Sequence, residues 1–216
     1  MSERLPVHGF VLAGGKSSRM GADKALLRFC GRPMVEIAVE KLRGFCADVG
    51  IAGNRDDLGE FAPVVREARL DVGPAAGIEA GLLAATQPWV MFMPVDVPMM
   101  PEELLRRWAA EVIGIKGVLA SHLYYGRDQA VFCMLRRVCR ERLSLALECG
   151  ERRLEPLLHQ ASEGFHWVQN VDELFGENRP SAQIRNRWFL NVNTPRDLVD
   201  AEEWASSMHE GGCGAI

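Results

Sequence analysis

The 216-residue chain has no excess of positive charge, no cysteine pair at metal-site spacing and no apolar run of membrane length. Lys and Arg number 25 against 29 Asp and Glu, a net charge of -4, so the molecule as a whole offers no attraction to nucleic acid or to an anionic membrane. The six cysteines, at 30, 46, 133, 139, 149 and 213, form no Cys-x-x-Cys, and none of the five histidines stands at a ligand spacing from another, which argues against structural zinc. Their irregular placement suits reduced thiols in a cytoplasmic protein better than a secreted disulfide framework. The apolar run from Trp89 to Val95 falls well short of the roughly 18 residues a spanning helix needs, and residues 1–16 contain no uninterrupted signal-peptide core. Aromatic residues are few, at 7%, yet 48% hydrophobic and 25% charged residues give the composition of a soluble globular chain.

What the chain does have is an alternation of strand and helix patterns. Phe10 to Ala13 reads as a buried strand running into a glycine pair. Val35, Ala38, Val39, Leu42, Phe45 and Cys46 then recur with helical spacing on one face of a helix begun near Pro33. Val49 to Gly53 and Pro63 to Val65 look like short strands, Gly77 to Thr86 like a small-residue helix packed on a sheet. Trp89 to Val95 has the unbroken apolar pattern of a parallel strand covered on both faces, and Pro101 with Glu102 and Glu103 opens the next helix. Further strands are expected at 117–123, 130–135, 165–168 and 188–192, and helices at 141–148 and 152–160. Thr194, Pro195 and Asp197 have the form of a capped helix start, with the helix running to about Ser206. The reading is a single α/β domain over 1–206 with a mostly parallel sheet, followed by a flexible tail over 207–216.

Between Leu12 and Leu27 stands LAGGKSSRMGADKALL, a glycine-rich loop carrying Lys16, Arg19 and Lys24 in an otherwise acidic chain. Glycines let backbone N–H groups approach phosphate oxygens and the cations offset their charge, so a polyphosphate is the expected ligand; a solvated surface loop is the alternative. A Walker loop is excluded by Phe10 at the position that must be glycine, and the G-x-G-x-x-G fingerprint by the adjacency of Gly14 and Gly15. The second feature is Asp96 in MPVDVP, at the end of the strongest strand, where the ligand crevice of an open α/β sheet lies. A carboxylate there suits Mg²⁺ shared with substrate phosphates, and its alternative role is to cap the following turn.

These segments, with GNR at 53–55, GPAAGIEAG at 73–81, PVDVP at 94–98, GERR at 150–153 and NVNTPRDL at 191–198, resemble the molybdenum cofactor guanylyltransferases of the MobA type, in order and over nearly the whole chain. The resemblance implies a Rossmann-like three-layer sandwich that transfers GMP from GTP to the phosphate of molybdopterin, or its metal-loaded form, with release of pyrophosphate. By matching position, Leu12, Ala13 and Gly14 would bind GTP and Gly15 would allow close approach. Lys24 would touch the phosphates, Arg19 would balance the leaving pyrophosphate, Asn54 would contact the nucleoside, and Asp96 would hold Mg²⁺. Asn191 and Asn193 would face the pterin, or serve only to stabilise a turn. The family's acid after the third strand has two matches, Glu67 and Asp71, with Glu67 slightly preferred. Arg152 or Arg153 is a further candidate for charge stabilisation, with a plain surface ion pair as its alternative.

Because a phosphate acceptor is already anionic, alignment and charge neutralisation suffice, and His8, His122, His159, His166 and His209 are left out of the site. The resemblance also suggests transient contact with other cofactor-assembly proteins. A CTP-dependent relative and a nucleotide-binding protein without turnover are the competing readings.

Overall fold

The computed structural model describes residues 4–14 and 24–210. The first strand, β1 (Leu5–Leu12), begins five residues before the expected Phe10. His8 and Gly9 interrupt its apolar pattern, but both have partners: His8 stacks on Phe10 with ring centroids 4.2 Å apart, and a Cβ on Gly9 would stand 3.0 Å from the Cys46 sulfur. A small hairpin, β2 (Arg28–Phe29) with β3 (Arg32–Pro33), leads into α1 (Met34–Arg43). All six residues of the apolar face expected there are buried, although Phe45 and Cys46 lie past the helix end.

The chain continues through β4 (Cys46–Ala52), β5 (Val64–Val65), α2 (Pro74–Ala84), β6 (Trp89–Pro94) and α3 (Glu102–Gly114). It then runs through β7 (Ala120–Tyr125), β8 (Arg127–Arg136), α4 (Arg140–Glu148), α5 (Leu154–Ala161), β9 (His166–Asn170), α6 (Ala182–Trp188) and α7 (Pro195–Glu210). Seven strands form one sheet in the order β5-β4-β1-β6-β8-β7-β9. β1 pairs in parallel with both β4 and β6, whereas β8 runs antiparallel to β6 and β7, so the sheet is mostly parallel, as expected. One apolar core lies between the sheet and α1 and α3, and a second between the sheet and α2, α4 and α5. That makes three layers.

Helix α2 starts at Pro74 rather than Gly77, because Gly73 takes φ +65° and the proline fixes the first helical position. Gly81 of this helix lets it sit close on the sheet, since a Cβ there would stand 2.6 Å from Phe92. The expected strand over 188–192 is absent. Trp188 closes α6, Phe189 stacks on Tyr125 with ring centroids 5.4 Å apart, and Val192 is buried beside Phe29, Met34 and Met99. The run is apolar because it packs, not because it pairs. Helix α7 runs past the expected Ser206 to Glu210, and residues 211–216 of the expected tail lie outside the described residues. No helix among the described residues is long and apolar enough to cross a membrane.

Candidate active site

The strand order reverses beside β1. From β1 the chain moves outward through β4 to β5, then returns across α2 to place β6 on β1's other side. The carboxyl edge of β1 and β6 is therefore a topological switch point, where open α/β sheets leave a crevice. Leu12 pairs with Pro94 in register, and the Val95 N–H donates to the Leu12 carbonyl at 3.2 Å. The ends of the two strands, and with them Gly14 and Asp96, are thereby held side by side.

A cleft of about 580 Å³ opens along this edge. Its walls come from the ends of three neighbouring strands and the start of α2: Leu12 ending β1 with Ala13 and Gly14 after it, Asn54 and Arg55 after β4, residues 67 and 69–73 after β5, and Pro74 and Ala76 of α2. Six residues singled out in the sequence, Leu12, Ala13, Gly14, Asn54, Glu67 and Asp71, thus line one cavity. Asn54 also accepts, through its side-chain oxygen, the Glu67 backbone N–H at 3.1 Å, which ties the two loops together. The Glu67 carboxylate lies over Gly14, where an added Cβ would stand 2.1 Å from its Oε1, and burial pushes its pKa up. Asp71 has φ +58°, a conformation a non-glycine residue seldom takes.

Beside the cleft is a second group. Lys24, at the start of a short 3-10 turn, puts its ammonium 3.5 Å from Asp96 Oδ2 and donates a short hydrogen bond to the Asn193 side-chain oxygen. Their side chains are only 24% (Lys24) and 15% (Asp96) exposed. Burial raises the Asp96 pKa, opposed by the nearby lysine. Asn193 reaches this point because the Val192 N–H donates to the Asp96 carbonyl at 2.8 Å. The following turn is then fixed by the expected capping box: Asp197 accepts from the Asn193 and Thr194 N–H groups at 2.9 and 2.8 Å, while Thr194 Oγ1 accepts from the Asp197 N–H at 3.1 Å.

Asn191 faces elsewhere, lining a smaller cavity of about 170 Å³ with Met99, Arg187, Leu190 and Asp197 among others. The two asparagines, grouped together in the sequence, therefore have different surroundings. Arg152 donates to the Leu147 carbonyl at 2.5 Å at the end of α4, and Arg153 is an exposed partner of Glu151; neither lines the cleft. Gly15 and Arg19 lie outside the described residues.

Sequence reasoning missed Gly53, Arg55 and Arg69. A Cβ on Gly53 would come within 3.1 Å of the Ala13 carbonyl carbon and 3.2 Å of the Gly14 nitrogen, so this glycine lets the β4 loop press on the backbone of the β1 loop. Its place in GNR was the available signal. Arg55 and Arg69 line the cleft, but the acidic partners of Arg69 are ten and more positions away in the chain.

This is the fold and crevice of a nucleotide-binding α/β transferase. The solved molybdopterin-guanine dinucleotide biosynthesis protein A from Archaeoglobus fulgidus superposes with a TM-score of 0.72 at 23% identity, over 93% of this chain and 100% of that one. The MobA-like NTP transferase domain matches residues 9–164. The molybdenum cofactor guanylyltransferase of Vibrio vulnificus is 32% identical over 193 residues, covering 88% of this chain and 91% of its own. That of Polynucleobacter asymbioticus is 32% identical over 206 residues, covering 89% and 94%. The chain belongs to the MobA-like nucleotidyltransferase family, that of the molybdenum cofactor guanylyltransferases.

Proposed function

We propose that the chain transfers GMP from GTP to the terminal phosphate of molybdopterin, forming the guanine dinucleotide and releasing pyrophosphate. The observation that carries this reading is the cluster of Lys24, Asp96 and Asn193 at one end of the cleft built by Gly14, Asn54 and Glu67. From the end of β6 to the loop after β5 the sheet spans three strand spacings, on the order of 14 Å. That length suits a nucleoside triphosphate laid across the sheet edge, its phosphates over β1 and β6 and its base toward β5.

In this arrangement Lys24 leaves Asp96 for the phosphates. The residues suit Mg²⁺: Asp96 supplies one partly buried carboxylate, and this cation commonly takes one or two protein oxygens with substrate phosphates and water. Among the described residues no three His, Cys, Asp or Glu side chains gather to form a protein-only cage. Bound there, Mg²⁺ would neutralise charge on the triphosphate. At the other end, Asp71 accepts from the guanine N1–H and 2-amino group, a paired donor edge that cytosine does not offer, while the Glu67 carboxylate stands over Gly14 nearer the middle of the cleft.

The acceptor phosphate needs no general base, since one oxygen is already anionic. That oxygen forms the new bond to the α-phosphorus as the bond to the β-phosphate oxygen breaks, and pyrophosphate carries away the electron pair. The protein's part is to hold the two phosphates in line and offset their charge. Asn191 and its smaller cavity beyond Asn193 lie on the side left for the acceptor.

Incubation with GTP, Mg²⁺ and molybdopterin should yield one product whose mass is that of the guanine dinucleotide, with one pyrophosphate for each. Asp96→Asn should lower the rate by at least about 100-fold, a few kcal/mol of transition-state stabilisation, while the fold persists. A full-rate variant, or a cytidine product formed in preference from mixed nucleotides, overturns the assignment.

A further inference from the structure

The loop between β5 and α2 has no regular structure from Arg66 to Gly73, yet it forms one wall of the cleft and carries Glu67 and Asp71. One side chain from its middle crosses to the helix layer. Arg69 Nε stands 2.8 Å from Glu79 Oε2 and Nη2 stands 3.1 Å from Glu79 Oε1, a two-pronged pair, and Nη2 also lies 3.3 Å from Glu148 Oε1. Glu79 belongs to α2 and is 5% exposed, whereas Glu148 ends α4. Burial alone would push the Glu79 carboxyl up, but hydrogen bonds from Arg69 and Ser144 hold it below the usual carboxylate range. The guanidinium is thus fixed by a buried, ionised partner.

Two cleft-lining residues follow Arg69 directly in the chain. Leu70, next in the chain, is 77% exposed and lines the cleft, and Asp71 follows it with φ +58°. An apolar side chain left uncovered at a cavity wall, beside an acid in a seldom-used backbone conformation, is the arrangement of a surface awaiting a flat, partly apolar ligand. We propose that Arg69, clamped between α2 and α4, is a positioning residue that sets the nucleoside wall of the cleft without touching the phosphates. The proposal rests on the reading of this cleft as the nucleotide site. Its added content is that nucleoside recognition is coupled to the helix layer through one arginine.

The test compares two probes, GTP and inorganic triphosphate, each with Mg²⁺, by calorimetry on the full chain, together with steady-state kinetics. Arg69→Ala should raise the Kd for GTP about tenfold, equivalent to roughly 1.4 kcal/mol, and leave the Kd for triphosphate within twofold. The KM for GTP should rise in parallel while kcat at saturating GTP stays near that of the native chain. Arg69→Lys keeps the charge but cannot make the two-pronged contact, so a loss of about threefold is expected, and this variant carries the comparison if the alanine variant fails to fold. Lys24→Ala should weaken both probes. Native GTP affinity in either Arg69 variant overturns the proposal, as does an equal loss for both probes with a matching fall in kcat, which is the behaviour of a purely structural residue. Failure of the native chain to bind GTP overturns the reading of the cleft itself, and is seen before any variant is made.

Discussion

At the residue scale, the site depends on atoms that are missing. Gly53 is buried against the Ala13–Gly14 peptide, and the contact it permits is with backbone, which cannot swing aside as a side-chain tip can. Gly14 differs in kind, since what would meet its Cβ is the end of the Glu67 side chain. Gly53→Ala must push the β1 loop by a few tenths of an ångström, in a packed region where the Ala13 N–H also donates to the Ala52 carbonyl at 2.9 Å. We expect this variant to lose about 1–3 kcal/mol of stability by denaturant unfolding and at least several-fold in GTP affinity. Wild-type affinity would mean that the β1 backbone does not contact the nucleotide. Gly14 was legible in the sequence because it follows a buried strand and opens a basic, glycine-rich loop. Gly53 was not, because its role depends on which backbone β4 brings beside it.

At the element scale, one-face periodicity marked α1, unbroken apolar runs marked β1 and β6, and capping residues marked the start of α7. It misread 188–192 because an apolar run shows burial and not hydrogen bonding; here α6, capped by Ser181 Oγ accepting from the Ile184 N–H at 3.4 Å, and a packed turn consume the same residues. The histidines were also illegible. His122 on β7 and His166 on β9 come from parallel neighbouring strands, and with Asp128 of β8 they form a chain: Asp128 Oδ1 to His122 Nε2 at 2.9 Å, and His122 Nδ1 to His166 Nε2 at 2.9 Å. The two rings and the carboxylate share one hydrogen-bonded line, in which each ring nitrogen donates or accepts according to its tautomer. Burial, then the adjacent His122 and His159, lowers the His166 pKa to about 4 against an ordinary 6.5, with Asp128 opposing. A folded-state value below the unfolded one means that the unfolded chain takes up the proton first. Stability from this group is therefore full above about pH 6.5 and is lost as pH falls toward 4. The loss should be on the order of 2 kcal/mol, below the full linkage value because solvent still reaches the ring. Unfolding free energies of the native chain and His166→Gln measured between pH 7 and 4 check this: the variant should show a shallower fall, and parallel curves would remove His166 from the account.

At the scale of the whole molecule, the order β5-β4-β1-β6-β8-β7-β9 turns scattered motifs into one surface. The GNR segment, Glu67 and Asp96 follow β4, β5 and β6, so a ligand lying across the carboxyl edge touches loops far apart in the chain while the sheet beneath stays fixed. The docking of α7 on the hairpin, where the Cys30 N–H donates to Glu202 at 2.7 Å, adds Asn193 from the far end of the chain. Binding should consequently stabilise the entire domain cooperatively, because the ligand bridges elements that unfold together. GTP with Mg²⁺ at 100 times its Kd adds about 2.7 kcal/mol, which for a domain of this size is a rise of roughly 5–10 °C in melting temperature. CTP at the same concentration lacks the paired donor edge for Asp71 and should raise it less. In Asp96→Asn the advantage of adding Mg²⁺ should shrink while the preference for GTP over CTP persists, since the carboxylate serves the phosphate end and the base is read three strands away. Loss of both effects together in that variant would mean that Asp96 organises the whole cleft, and equal shifts for the two nucleotides in the native chain would remove guanine recognition from the β5 side.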